Sequence, residues 1–126
     1  MEHKFYDLIK MDEIAQGDEN FIKDMVVTFV ENVTEDIGKI RSARSVEDWK
    51  TIGEVAHKMA SRFAYLDADS LQTLAGDIEK SVLIEKNLDG IAEKADKLCS
   101  DSILLIEQLK QDFDYLNTNH SCQIII

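Results

Sequence analysis

Proline is absent from all 126 residues, and only five glycines occur, at Gly17, Gly38, Gly53, Gly76 and Gly90. Without proline nothing removes a backbone donor or clashes with the preceding turn, so helices run uninterrupted. The glycines are scattered rather than gathered into a phosphate-cradling loop, and ATP binding is not suggested. The two cysteines, Cys99 and Cys122, lie far apart without CxxC spacing. That argues against a disulfide framework and a zinc knuckle and leaves reduced thiols as the expectation. Positive charge is also scarce: 14 Lys and Arg stand against 25 Asp and Glu, a formal net charge of -11. No basic cluster could neutralise phosphates along a duplex, so neither nucleic acid nor an anionic membrane is an expected partner. No apolar run approaches the roughly 20 residues of a spanning helix, and MEHKFYDLIK lacks the apolar core of a signal peptide. A cytoplasmic protein without direct membrane contact is expected.

What the chain does have is helical periodicity. Phe21, Ile22, Met25, Val26, Phe29, Val30, Val33, Ile37 and Ile40 recur at i, i+3, i+4, i+7, which predicts one long amphipathic helix over about 18–43, with Asp18 and Glu19 suiting its N-terminus. Leu8, Met11 and Ile14 predict a short leading helix ending at Gly17 and folded over one end of the domain. Ser45 with Asp48 resembles a capping box opening a second long helix to about Tyr65, with Trp49, Ile52, Ala56, Met59 and Phe63 on its buried stripe. Asp67 or Asp69 is the expected cap of a third, which carries Leu71, Leu74, Ala75, Ile78 and Val82 and ends near Asn87. The fourth begins around Leu88, with Ile91, Ala95, Leu98, Leu105, Leu109 and Phe113 facing inward. Short connections make neighbours antiparallel. The expected fold is all-α: an antiparallel up-and-down four-helix bundle over 18–113, a helical lead-in over 1–17 and a tail over 114–126.

His57 stands out. At about 100° per residue it lies roughly 120° from the centre of its helix's buried stripe, towards solvent. Its helical neighbours Gly53, Ala60, Ser61 and Ala64 are all small. A mid-helix glycine costs about 1 kcal/mol relative to alanine, so Gly53 calls for a reason in packing or in access to the ring. On periodicity alone, an idle surface histidine on an Ala-rich helix remains an alternative.

The segment AHKMASRFAYLDADSLQTLAGDIE, residues 56–79, resembles the signature of histidine-containing phosphotransfer (HPt) domains, AH-x-L-K-G-S-S-x-x-L-G-A followed by L-x-x-L-x-x-x-L/I-E. Ala56 and His57 match its start, Met59 stands for its Leu, and Leu66, Ala68, Leu71, Leu74, Ile78 and Glu79 fall in register. Upstream, FYDLIKMDEIAQGDENFIKDMVVTFVENV and DWKTIGEVAH are similar to the family's opening and to its approach to the histidine, so the resemblance spans roughly residues 5–113. The chain departs from the pattern at Ala60, Ser61 and Asp67, where the family usually has Lys, Gly and Gly.

The resemblance implies a phosphorelay intermediate without kinase activity of its own. His57 would accept a phosphoryl group at Nε2 from one receiver-domain aspartate and pass it to another. Gly53, Ala60, Ser61 and Ala64 would form the docking face, and Lys50, Lys58 or Arg62 would replace the missing cation, unless these are merely solvated charges. The partners would be receiver domains of response regulators or hybrid sensor histidine kinases, this protein acting as a monomer. No cofactor is expected on this chain, and Mg2+ belongs on the receiver. The alternative is a degenerate HPt-like scaffold that binds a receiver without accepting phosphate, a reading motivated by Ala60, Ser61 and Asp67. A metal-binding bundle would need ligands converging in the core; His57 points outward, and His3, His120 and Cys122 lie near the termini.

Overall fold

The computed structural model describes residues 6–113, all of whose regular elements are helical. They are α1 (Ile9–Ala15), α2 (Glu19–Ser45), α3 (Trp49–Tyr65), α4 (Asp69–Glu79), which continues directly into a π-helical turn (Lys80–Ile84), and α5 (Ile91–Asp112). Helix α2 packs on α3, α3 on α4 and α4 on α5, while α5 returns to α2, which closes the expected four-helix bundle. The tail beyond 113, with His120 and Cys122, lies outside the described residues, as does His3.

Chain chemistry sets each boundary. The Asp18 carboxylate accepts the Phe21 N–H at 3.1 Å and so caps α2. The helix then runs to Ser45, beyond the expected end, because Ser45 is no cap: its hydroxyl donates to the Ser42 carbonyl at 2.7 Å. Asp48 is the cap of α3, accepting from the Thr51 N–H at 3.2 Å and the Thr51 hydroxyl at 2.6 Å. Both α2 and α3 end in a Schellman motif. Asp48 N–H donates to the Ala43 carbonyl at 2.8 Å with Glu47 left-handed at φ 57, and Ala68 N–H donates to the Phe63 carbonyl at 3.1 Å with Asp67 left-handed at φ 48. Asp67 therefore stands at a left-handed position, which its short polar side chain tolerates. Its neighbour Asp69 does not cap α4 either; the N-cap is Ala68, without a side-chain bond.

Burial follows most of the predicted stripes; Phe21, which stands in the first turn of α2, is exposed instead. Phe63, Ile52, Met59, Leu66, Leu71, Ile78, Leu98, Leu105 and Leu109 are fully enclosed. The Phe29 and Phe63 rings meet edge to face, centroids 6.0 Å apart. Leu88 is exposed, because α5 starts only at Ile91 after a left-handed Gly90 at φ 72. The lead-in lies over the end of the bundle where α3 stops: Asp7 N–H donates to the Leu66 carbonyl at 2.7 Å, and the Tyr6 hydroxyl, its phenol pushed up by burial, donates to Asp112. Ile14 faces solvent. Trp49, expected in the core beside α2, is instead half-buried, beside Lys50, Val82, Leu83, Lys86 and Leu88. As the first residue of α3 it stands at the rim of the bundle, packed against the core but only in part covered.

This difference is measurable. Phe63→Ala removes a fully enclosed ring from the centre and should cost about 3 to 5 kcal/mol, whereas Trp49→Ala should cost about half as much. Denaturant unfolding of the two variants checks the order, and a larger loss at Trp49 would contradict it.

Candidate functional site

Helix α3 is held by the face opposite its solvent side. Ile52, Ala56, Met59 and Phe63 each have no exposed surface, and their common direction turns His57 outward, with 62% of its side chain accessible. The ring is nevertheless anchored. Its Nδ1 lies 2.7 Å from Oε2 of Glu79, at the end of α4. A carboxylate only accepts, so Nδ1 carries the proton and, in the neutral ring, the lone pair sits on Nε2. The pair thus presents an oriented nucleophilic nitrogen to solvent. Glu79 was assigned no role on sequence grounds; its one signal was its position as the acid closing the motif.

The small residues around His57 divide. Ser61 is exposed, and Ala60 and Ala64 are half-buried. Gly53 corrects the expectation of an open docking face: it is buried, and a Cβ built there would lie 2.9 Å from Val82 Cγ1 and 3.0 Å from both Leu83 Cγ and Val82 Cβ. The absent side chain makes room for the π turn after α4, so this glycine answers to packing rather than to access from solvent.

Of the three candidate cations, Lys50 and Lys58 are exposed. Arg62 is not available in the expected way. Its Nε donates to Oδ2 of Asp36 on α2 at 2.7 Å, with the two side chains 28% and 2% exposed. Burial pushes the Asp36 carboxyl above the ordinary aspartate range, and the Arg62 guanidinium works against that rise. Arg62 is therefore not a free cation; it joins α2 to α3.

Burial of Cys99 pushes its thiol up to about 11, which leaves it a packing residue rather than a nucleophile. Among the described residues, no three His, Cys, Asp or Glu side chains gather as metal ligands, and no helix is long and apolar enough to cross a membrane.

In comparisons with known proteins, the family model for the Hpt domain matches residues 24–118, more than half of the chain. Neither the curated proteins nor the solved structures give a match.

The Asp36–Arg62 pair yields a pH-dependent prediction. In Arg62→Met the Asp36 carboxylate is left buried without its partner, which should cost about 2 to 4 kcal/mol at pH 7. The sign of the pH effect follows from a folded-state pKa raised above the unfolded one. Removing Arg62 removes what works against that rise, so the Asp36 pKa of the folded variant lies above that of the folded parent. As pH falls through the interval between them the variant alone gains stability by taking up a proton, and the deficit shrinks. Urea unfolding of parent and variant between neutral and mildly acid pH checks this; a deficit that grows on acidification would contradict it.

Proposed function

The chain belongs to the Hpt domain family, whose members carry phosphoryl groups in two-component signalling, and from that premise we propose that His57 is the phosphoacceptor of a multistep phosphorelay. The observation that carries this reading is the exposed imidazole with Nδ1 donating to Glu79 and Nε2 open. Nε2 attacks the phosphorus of a phospho-aspartate on a receiver domain, the N–P bond forms as the acyl phosphate P–O bond breaks, and the aspartate leaves as carboxylate. Positive charge developing on the ring is met by the Glu79 carboxylate at Nδ1. Transfer to a second receiver reverses these steps. The protein acts as phosphoryl carrier and not as kinase.

The transferring group carries negative charge that must be neutralised. In this reading the receiver brings Mg2+ and its acidic pocket, with Lys50 and Lys58 as the exposed cations nearest His57 in sequence. Ser61, one turn beyond His57 and exposed, belongs to the approach face, together with the half-buried Ala60 and Ala64.

The test is incubation with a panel of phosphorylated receiver domains, followed by detection of acid-labile, base-stable phosphate on this chain. His57→Gln should accept none while remaining within about 0.5 kcal/mol of the parent in stability, because the ring is largely exposed. Glu79→Gln should accept phosphate about tenfold more slowly or worse, having lost the carboxylate that orients the ring. Transfer to the His57 variant would refute the assignment. Receiver binding by the parent without any transfer would instead favour the scaffold reading.

Ser61→Gln separately tests the approach face. Glutamine forms helix well, so stability should be nearly unchanged, while a long side chain over the route to the ring slows transfer about tenfold. A parental rate with the same receiver would remove Ser61 from that face.

A further inference from the structure

Helices α3 and α4 run antiparallel, and two contacts cross the seam in succession. The first joins Gly53 to Val82 and Leu83; the second joins His57 to Glu79. Gly53 stands one turn before His57, and Val82 and Leu83 stand about one turn after Glu79, so the contacts are adjacent rungs about 6 Å apart. At the first rung the helices are closer than any residue with a Cβ permits without movement: the built atom falls 2.9 Å from Val82 Cγ1 and 3.0 Å from the backbone-proximal Val82 Cβ. At the second rung the donor–acceptor distance is 2.7 Å. A hydrogen bond of this kind weakens within a few tenths of an ångström. The π turn begins immediately after Glu79, with Glu85 N–H donating five residues back to the Lys80 carbonyl at 2.9 Å, and it carries both Val82 and Leu83 onto the glycine.

We propose that Gly53 is a positioning residue for His57: by admitting Val82 and Leu83 it lets the end of α4 approach, keeps Glu79 on Nδ1, and so holds the imidazole with Nε2 free. The consequence for transfer rests on the proposed role of His57; the tautomer does not. A side chain at Gly53 wedges the first rung apart, the rigid helices pass the displacement to the second, and the ring loses the acceptor that fixes its proton.

The experiment reads both quantities in the full chain. Imidazole 15N shifts, recorded about two units above an ordinary histidine pKa, report the tautomer, and phosphorylated receiver domains with Mg2+ serve as the donors, transferring by the Nε2 attack proposed above. The parent should show His57 mainly as the Nδ1–H form. Gly53→Ala should move it towards Nε2–H and slow phosphorylation about fivefold, and adding Val82→Ala, which removes the nearest atom, should restore the parental tautomer in part. Gly38→Ala is the control, since a Cβ there meets nothing within 4 Å, and it should change neither readout. If Gly53→Ala does not fold, Val82→Ile decides, because it adds one carbon to the other side of the same contact and should shift the tautomer in the same direction.

An unchanged tautomer in the deciding variant, or a parent already in the Nε2–H form, overturns the positioning role. A parent that takes up no phosphate from any phosphorylated receiver domain while its tautomer responds as expected overturns the phosphoacceptor reading and leaves the positioning intact.

Discussion

Where α3 meets the π turn that continues α4, the chain places a residue without a side chain, Gly53, directly against Val82 and Leu83. Close approach there decides what the rest of the bundle can do. It lets α3 bury Ile52, Met59 and Phe63 in the core on one side while the tip of Glu79 crosses to Nδ1 of His57 on the other. On the positioning proposed for Gly53, a wider seam would leave the histidine equally exposed and unoriented. The cost of a glycine in mid-helix, about 1 kcal/mol of propensity, is offset by this packing, which no residue with a side chain could supply at the same separation.

A second constraint fixes the roll of α3 about its own axis. Asp36 is buried on α2 and its carboxyl is pushed up by that burial, so the helix that faces it must bring a donor. Arg62 is that donor. A rotation of α3 that carried His57 inwards would pull the guanidinium away from a carboxylate that cannot remain buried alone. The hydrophobic stripe sets the orientation coarsely, and the ion pair sets it to within the reach of one hydrogen bond. In a protein with a net charge of -11, a cation used in this way serves geometry and adds little to the surface field.

Helix count, order and most core residues were legible in the sequence because an amphipathic helix announces its inner face through a period of 3.6. Direction across a seam is not announced. Gly53 reads the same whether it clears space for an incoming partner or for Val82, and only the position of α4 distinguishes the two. The acceptor for His57 lies 22 residues away, beyond any local pattern. The π turn left no mark because one widened turn hardly disturbs the spacing of Leu74, Ile78 and Val82. Trp49 misled because hydrophobic periodicity gives direction but not depth: a residue at the first turn of a helix can point at the core and still stand at its rim. In the sequence Arg62 reads as either a compensating cation or a solvated charge because its partner is on another helix, where propensity and spacing carry no information.

These constraints explain what the proposed relay asks of this chain. A phosphoryl group brings about two negative charges to an acidic protein, and the residue in the place of the family's usual lysine is Ala60, which bears no charge. Of the two cations nearest Ala60 in sequence, Arg62 is committed to Asp36 and Lys58 is exposed. In the proposed relay, stabilisation of the transferring group therefore falls to the receiver and its metal, with Lys50 and Lys58 as the exposed cations nearest His57 in sequence, and the bundle supplies an oriented nitrogen on a rigid helix. Such a site has no preferred direction of its own. The group enters and leaves through the same Nε2 on the same open face, so in the proposed relay the direction of flow is set by which receiver arrives phosphorylated, and the histidine works equally well as acceptor and as donor.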